Sequence, residues 1–223
     1  MTWSDINIET AIKAGIRHCY PQHFPGRPVI LEAGVANGDD TLQFCKIMPN
    51  AAVFGFEPDS RYHAEIYNRL GNFLNFNFDK RALSDETSTK PNKFYLAERV
   101  SQGGIEKWGS SSLLLPTGHK EFHKDIKFSK TISVDTVTLD DWALEKNIDK
   151  IDVMWLDLQG SEPDVLRNCK ILETVDMIWT EVNLIELYEN CVLYEDFKLL
   201  MASKGFQVIL EHMPSKKYQL MTF

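Results

Sequence analysis

The sequence predicts an α/β protein, in which a mostly parallel β-sheet carries helices on both faces. Two observations predict this class. Short runs rich in β-branched and aromatic residues alternate with segments whose apolar residues recur every three or four positions. The spacing of these runs is typical of βαβ units, which pair their strands in parallel and cross over in a right-handed sense.

The elements follow one another in a regular order. Apolar positions Ile8, Ala11, Ile12 and Ile16 predict an amphipathic helix within residues 3–19, part of an N-terminal helical extension over residues 1–28 that ends in a proline-rich break. Apolar runs predict strands at 29–33, 52–56, 73–78, 131–137, 153–158, 177–182, 207–210 and 218–223. Helical periodicity predicts helices at 40–48, 60–70, 139–146, 162–172 and 194–204.

Residues 85–130 do not fit this alternation. Their periodicity is weak, and Gly, Ser, Lys and Pro are frequent. The segment is longer than an ordinary connection, so we interpret it as an insertion, either functional or with short strands of its own, and expect it to act as a lid over a substrate. No linker or repeat divides the chain, and we therefore expect one domain over residues 1–223.

Composition excludes several classes of protein. Hydrophobic residues make up 43% and charged residues 25% of the 223 residues, which argues against disorder, and no apolar run approaches the ~20 residues of a membrane span. The N-terminus lacks the features of a secretory signal, so we expect a cytoplasmic protein without a membrane partner. The formal charge of −8 argues against nucleic acid as a partner. The four cysteines show no metal-binding spacing, and no metal is expected.

The segment VILEAGVANG, residues 29–38, predicts a cofactor site. A strand carrying Glu32 near its end runs into a turn bracketed by Gly34 and Gly38, and a helix follows. Glycine allows a close approach of backbone to ligand, and the N–H groups at a helix start favour anionic groups. Twenty-five residues after Glu32, Glu57 ends the second strand, where α/β nucleotide sites place the carboxylate that binds ribose hydroxyls.

A third segment, WLDLQGSEPDVL, brings Asp157 to the same edge of the sheet. A buried strand precedes Asp157, and a new helix begins after Gly160. Ser161 is expected to cap that helix, with Glu162 and Asp164 favourable near its positive end. Capping does not account for Asp157, which we expect at the catalytic edge.

Together these motifs resemble the FkbM-type family of class I S-adenosylmethionine-dependent methyltransferases. The resemblance rests on Glu32, Gly34 and Gly38, on VDTVTLDD at 134–141, and on IDVMWLDLQGSE at 151–162. It implies a Rossmann-like three-layer sandwich with a seven-stranded, mostly parallel sheet whose last strand is antiparallel. In this sequence Gln159 stands where the family usually has Glu, which puts a metal or base role there in doubt.

The resemblance also implies an activity and a set of site residues. The expected reaction is O-methylation of a small-molecule or sugar hydroxyl with S-adenosyl-L-methionine as cofactor. Whether the protein forms a homo-oligomer is left open. The implied cofactor-binding residues are Glu32, Gly34, Ala36, Asn37, Gly38, Thr41, Glu57, Ala82, Leu83 and Asp157.

Catalysis needs a group that removes the proton of the acceptor hydroxyl. The candidates are Asp157, Glu162, Glu181 and, from the insertion, His119 or His123. Asp157 and Glu181 are favoured, because each ends an apolar strand. His119 and His123 are expected at the surface. Trp108, Trp155, Trp179 and Tyr188 are expected in the core, with an acceptor pocket as the alternative, and the role of residues 109–115 is open.

Two other functions fit part of the pattern. A nicotinamide-dependent oxidoreductase would also use Gly34 to Gly38, but the turn lacks the GxGxxG spacing. A catalytically inactive cofactor-binding module of the same fold would account for Gln159.

Overall fold

The computed structural model describes residues 26–212 and 218–223. The predicted helix within residues 3–19 lies outside these ranges. The strands are, in chain order, β1 (Val29–Ala33), β2 (Ala52–Phe56), β3 (Phe76–Asp79), β4 (Ala82–Leu83), β5 (Ser88–Ser101), β6 (Gly104–Lys107), β7 (Ile126–Val137), β8 (Val153–Leu156), β9 (Met177–Asn183), β10 (Leu210–His212) and β11 (Tyr218–Thr222). The helices are α1 (Asp39–Ile47), α2 (Ser60–Leu70), α3 (His119–Phe122), α4 (Leu139–Lys146), α5 (Glu162–Arg167) and α6 (Tyr194–Ser203), with a 3₁₀ turn at Ile171–Thr174.

The main sheet has seven strands in the order β10-β11-β9-β8-β1-β2-β3. β1 pairs in parallel with both β2 and β8, β9 is parallel to β8, and β11 is antiparallel to β9 and β10. The predicted three-layer α/β fold with an antiparallel last strand is confirmed. Because β1, β2 and β8 are parallel neighbours, their carboxyl ends meet at one edge, where α/β proteins bind ligands.

Apolar packing on both faces holds this sheet in place. One buried cluster contains Leu31, Phe56, Trp142 and Leu156, and another contains Ile30, Phe44 and Trp155. Successive strand residues point to opposite faces, so Ile30 and Leu31 belong to different clusters. The strands are thus buried on both sides, which fixes the positions of the loops that follow them.

Residues 85–130 were expected to be an insertion, and the structure shows regular strands across much of it. β5 has 14 residues and β7 has 12, and they form a second sheet in the order β4-β7-β5-β6. The period-2 signal is weak because much of β5 is exposed and its register shifts between Ser88 and Asn92 and again between Leu96 and Glu98. For the same reason the start of β7 was missed: the strand begins at Ile126, five residues before the predicted strand.

Other boundaries also differ from the sequence predictions. The strand predicted at 207–210 is observed at Leu210–His212. The helix expected to run to residue 172 ends at Arg167, and the Asp140 carboxylate accepts bonds from the Lys170 and Ile171 amides at 3.0 and 2.9 Å. The third strand begins at Phe76 rather than residue 73. β8 ends at Leu156, so Asp157 is the first residue beyond the strand.

Candidate active site

The turn after β1 approaches the loop after β8 closely. Gly34 has φ +93°, and a Cβ placed on it would lie 2.2 Å from the Asp157 carbonyl oxygen. The amides of Gly34 and Val35 both donate to the Phe56 carbonyl, at 3.0 and 3.1 Å. Gly34 is therefore required by backbone packing, which brings the loops after β1, β2 and β8 together.

Ten residues were predicted to bind the cofactor, and the structure divides them into two groups. Those that line a cavity at the carboxyl ends of β1 and β2 are Gly34, Ala36, Glu57, Ala82, Leu83 and Asp157. Those that do not line it are Glu32, Asn37, Gly38 and Thr41.

The second group shapes the turn and the start of α1. The Thr41 hydroxyl donates to the buried Glu32 carboxylate at 2.5 Å, and the Asn37 side chain bonds to Asp39 at 2.6 Å. Gly38 occupies the N-cap of α1 with φ +80°. Glu32, Asn37, Gly38 and Thr41 therefore support the turn and the helix start and do not line the cavity.

The cavity also has walls from Tyr62 and Phe94, which the sequence did not single out. Trp108, Gly109, Ser111 and Leu113 line it as well. We call it the donor cavity. Its volume is about 80 Å³. Pockets for drug-sized molecules measure roughly 300–1,000 Å³, so a nucleoside-sized ligand would require the walls to move.

Glu57 lies in the donor cavity with both carboxylate oxygens in use. Oε2 accepts the Ala36 amide at 2.7 Å, and Oε1 accepts the Asp59 amide at 2.8 Å. Burial raises the pKa of Glu57 to about 7, although these two bonds act in the opposite direction. Each oxygen keeps a lone pair that a ligand hydroxyl could reach.

A second cavity of about 450 Å³ adjoins the first, and we call it the acceptor cavity. Its walls include Arg99, Asp125, Gln159 and Glu181. Three residues line both cavities: Trp108, Gly109 and Asp157. Asp157 is the one carboxylate at this junction among the lining residues.

The site is surrounded by buried carboxyl groups. Burial, more than any other cause, raises the pKa of Asp157 to about 6 and that of Glu162 to about 8, and it also raises the pKa of Glu181. Asp40, in the first turn of α1, is likewise raised to a pKa of about 6. Charge repulsion from Asp157 contributes to the shifts of Asp40, Glu162 and Glu181. This cluster of carboxyl groups favours a ligand that carries a positive charge.

The two predicted catalytic carboxylates differ in their bonding. Asp157 Oδ1 accepts a bond from Gln159 Nε2 at 2.6 Å. The Glu181 side chain faces the acceptor cavity and has no hydrogen-bond partner within the described part of the chain. An unpaired carboxylate in a cavity wall is available to a ligand.

The loop after Asp157 is held in an uncommon conformation. Gln159 has φ +54°. The Glu162 carboxylate accepts the Leu158 amide at 2.6 Å and the Gly160 amide at 2.9 Å, and Ser112 Oγ donates to the Gln159 carbonyl at 3.0 Å. Bonds from both sides therefore fix the loop.

Two predictions about side chains around the site need correction. His119 was expected at the surface but is buried, with its ring 4.8 Å from that of Tyr188. It belongs to a helix packed against the residues after β9, a long-range contact that local spacing does not reveal. Trp108 was expected in the core but is about one third exposed in the walls of both cavities.

The other aromatic residues lie in the interior as expected. Trp155 and Trp179 stack at 3.6 Å between ring centroids. Tyr188 is fully buried, yet its hydroxyl reaches Gln159. Residues 109–115, whose role was open, contribute Gly109, Ser111 and Leu113 to the donor cavity.

Comparison with known proteins decides the family. The Methyltransferase FkbM domain matches residues 32–208 of this chain. The chain belongs to the FkbM methyltransferase family. The described segments contain no group of three or more His, Cys, Asp or Glu side chains placed to hold a metal ion, and no helix long and apolar enough to cross a bilayer.

One relative of this FkbM-family protein is the 2-O-methyltransferase NoeI of Sinorhizobium fredii (strain NBRC 101917 / NGR234), which is 34% identical over 165 residues. The matched part covers 73% of this chain and 66%, just under two thirds, of NoeI.

Two solved structures share the fold. Precorrin-6y C5,15-methyltransferase from Geobacter metallireducens GS-15 is 9% identical with a TM-score of 0.50, over 96% of this chain and 85% of that one. Fibrillarin from Methanococcus jannaschii is 12% identical with a TM-score of 0.50, over 88% of this chain and 65% of that one. The predicted membership of the FkbM methyltransferase family is confirmed, and the oxidoreductase alternative is not favoured.

Proposed function

We propose that the protein transfers a methyl group from S-adenosyl-L-methionine, bound in the donor cavity, to a hydroxyl group of a sugar-like acceptor in the acceptor cavity. The observation that carries this proposal is the position of Asp157, whose side chain lines both cavities. A group that takes the proton of the acceptor must lie where donor and acceptor meet, and the lining of both cavities by Asp157 supports this role.

The donor cavity fits the cofactor in its chemistry. When bound, S-adenosylmethionine supplies an electrophilic methyl group on a positively charged sulfur. Glu57 and Asp157 line the donor cavity and would place negative charge around the methionine and ribose ends, and charges of opposite sign attract strongly in a buried site. Asp39 and Asp40, in the first turn of α1, would repel the pyrophosphate of a dinucleotide.

Glu57 would bind the ribose hydroxyls, while Ala82 and Leu83 would contact the adenine ring. Ala82 and Leu83 form the short strand β4, are buried, and line the donor cavity. Because the cavity is about 80 Å³, entry of the cofactor requires part of its wall to move. Residues 108–113 supply much of that wall, which supports a lid role for this portion of residues 85–130.

The acceptor cavity fits a neutral polyol. Its volume of about 450 Å³ lies within the usual range for small-molecule pockets, and its walls carry Arg99, Asp125, Gln159 and Glu181 with the exposed ring of Trp108. Hydrogen-bonding side chains beside an aromatic face suit a sugar ring, which has polar edges and apolar C–H faces. The 2-O-methyltransferase NoeI supports a hydroxyl as the acceptor group.

In this proposal Asp157 takes up the proton that the acceptor hydroxyl loses, and Glu181 orients the acceptor by hydrogen bonding. Buried surroundings keep the pKa of Asp157 at about 6, so it is mostly ionised at neutral pH and still a stronger base than an ordinary aspartate. No metal ion is part of the proposal. We expect the enzyme to act in the cytoplasm on a small molecule, without nucleic-acid or membrane partners, and as one domain.

The test is a titration of the protein with S-adenosylhomocysteine and, separately, with NAD by calorimetry. We expect micromolar or tighter binding of S-adenosylhomocysteine, a typical strength for cofactor sites, and none of NAD. Binding of NAD alone would refute the assignment of the donor cavity.

A further inference from the structure

The side chain of Gln159 connects Asp157 to Tyr188. Its Nε2 donates to Asp157 Oδ1 at 2.6 Å, and its Oε1 accepts the Tyr188 hydroxyl at 2.8 Å. The same hydroxyl lies 2.9 Å from the Ser110 carbonyl oxygen, which belongs to the wall of the acceptor cavity. Three segments distant in sequence are thus joined through the Gln159 amide and the Tyr188 hydroxyl.

The orientation of this amide follows from the charge of Asp157. A carboxylate anion only accepts hydrogen bonds, so the NH₂ end of Gln159 must face Asp157 and the oxygen must face Tyr188. Tyr188 is fully buried, and its single hydroxyl proton faces two acceptors, Gln159 Oε1 at 2.8 Å and the Ser110 carbonyl oxygen at 2.9 Å, which keeps the hydroxyl beside the oxygen end of the amide. The amide therefore donates to Oδ1 and leaves Oδ2 of Asp157 for other partners.

Acidic groups surround Asp157, and the basic side chains that line the acceptor cavity with it are Arg99, which is paired with Asp125 at 3.1 Å, His119 and His123. The groups with which Asp157 interacts electrostatically are Glu32 on β1, Asp40 on α1, Glu57 after β2, Glu162 on α5, Glu181 on β9 and Tyr188 after β9. All of these are acids. The bond from Gln159 is the one interaction that lowers the pKa of Asp157, against the effect of burial.

We propose that Gln159 is a positioning residue, whose amide, held by Tyr188, orients the Asp157 carboxylate at the junction of the two cavities and stabilises its anionic form. The catalytic use of this arrangement rests on the proposed function. A carboxylate in place of the Gln159 amide would face Asp157 at hydrogen-bonding distance, and two such groups share a proton instead of both ionising. The amide thereby suits Asp157 to act as a base near neutral pH.

The conformation of Gln159 supports a specific role for the side chain. A positive φ is uncommon for a residue other than glycine, and here it directs the side chain to Asp157 and Tyr188. Glu162 and Ser112 hold the backbone through bonds to atoms of the main chain. The loop is therefore held independently of the Gln159 amide, and a change of this amide is expected to leave the loop in place.

The experiment follows the side-chain carboxyl carbon of Asp157 by NMR in protein labelled with ¹³C at aspartate, using Asp157→Asn to assign the signal. We expect Gln159→Glu and Gln159→Met each to raise the titration midpoint of Asp157 by about one pH unit or more, a tenfold rise in proton affinity. Gln102→Glu, the same change in an exposed turn, serves as the matched control and should leave the midpoint unaltered. Gln159→Met keeps the test valid if Gln159→Glu folds poorly.

The midpoint is measured without an acceptor, so its result does not depend on the proposed function. An Asp157 midpoint that is the same in all three variants overturns the positioning role. A raised midpoint in protein that binds no S-adenosylhomocysteine refutes the proposed function and leaves the positioning intact. Once an acceptor is known, Gln159→Glu should shift the acid limb of the kcat profile upward by the same amount, with KM for the cofactor changed less than about threefold.

Discussion

The amide nitrogen of Ala36, in the turn after β1, donates to Oε2 of Glu57, at the end of β2, over 2.7 Å. Two neighbouring parallel strands are thus joined at their carboxyl ends by a side chain that also lines the donor cavity. We expect Glu57 to have two roles: it stabilises the turn after β1 and accepts hydrogen bonds from the cofactor.

Glu57→Gln is expected to weaken binding of S-adenosylhomocysteine by about 1–3 kcal/mol at pH 8, because an amide offers one acceptor atom where the carboxylate offers two. The pKa of about 7 predicts a pH dependence as well: affinity of the wild type should fall about tenfold between pH 8 and pH 6, as Glu57 becomes protonated. Calorimetric titration at both pH values measures both effects.

The exposed Glu106→Gln serves as the control for Glu57→Gln and should bind like the wild type. Melting temperatures must accompany the titrations, because Glu57 also accepts the Ala36 and Asp59 amides. Equal affinity of wild type and a folded Glu57→Gln variant would remove Glu57 from the cofactor site.

The buried carboxyl groups predict that the ligand-free protein loses stability as pH rises. The folded state holds protons on Asp40, Asp157, Glu57 and Glu162 up to pKa values of about 6, 6, 7 and 8, whereas the unfolded chain releases them near pH 4. The folded state therefore binds more protons in this window, so the free energy of unfolding falls with rising pH.

The midpoint of thermal unfolding should be at least about 4 °C lower at pH 8.5 than at pH 5.5. For a protein of this size, a loss of 1 kcal/mol in the free energy of unfolding lowers the midpoint by about 2–4 °C. Cationic S-adenosylmethionine should restore more of this loss than neutral S-adenosylhomocysteine at equal saturation. A midpoint that rises over the same range would contradict the clustering of protonated carboxyl groups.

Gly34→Ala is expected to destabilise the protein by roughly 1–3 kcal/mol or more, since its Cβ would lie 2.2 Å from the Asp157 carbonyl oxygen and φ is +93°. Urea unfolding measures this loss. The control is Gly103→Ala, where the nearest atom to the added Cβ is 3.6 Å away, and its stability should stay within about 0.5 kcal/mol of the wild type. Equal stability of the two variants would show that the loops after β1 and β8 are not in close contact.

The sequence predicted the main sheet well because its strands are short, apolar and regularly spaced. β1, β2 and α2 have the predicted bounds, since Val29, Ala52 and Ser60 each begin an unambiguous pattern. The second sheet was predicted only in part. Strands within residues 85–130 were one alternative, and the C-terminal half of β7 was predicted at 131–137, but β5 and β7 are long, partly exposed and joined through shifted pairing. Hydrophobic periodicity carries little information where neither face of a strand is fully buried.

The site was predictable in part for a similar reason. Glu57 and Asp157 follow buried strands, and chain position alone places such residues at the ligand-binding edge. The bond between Gln159 and Tyr188 joins residues 29 positions apart, and the walls from Tyr62 and Trp108 come from two other parts of the chain. No local pattern encodes these contacts, which arise when the two sheets pack together.

Glu181→Gln is expected to lower turnover with acceptor while raising the stability of the ligand-free protein. The carboxylate faces the acceptor cavity, and burial together with the charges of Asp157 and Glu162 raises its pKa. Removing a desolvated charge that lacks a described partner should stabilise the fold, by about 1 kcal/mol at pH 8. Affinity for S-adenosylhomocysteine should change less than about threefold, since Glu181 does not line the donor cavity.

Turnover and thermal midpoint of Glu181→Gln are measured together, with Glu186→Gln as a control outside the lining of either cavity. Lower stability with unaltered turnover would assign Glu181 a structural role.

The most direct test of the account compares the wild type with Asp157→Asn for release of S-adenosylhomocysteine from S-adenosylmethionine, over a panel of sugars and glycosides. Asn keeps the shape of the side chain and loses the ability to take up a proton. We expect the wild type to release product with at least one hydroxyl acceptor, and Asp157→Asn to lose about 100-fold or more in kcat while its affinity for S-adenosylhomocysteine changes less than about threefold. Turnover of Asp157→Asn within about threefold of the wild type would show that Asp157 does not take up the proton of the acceptor.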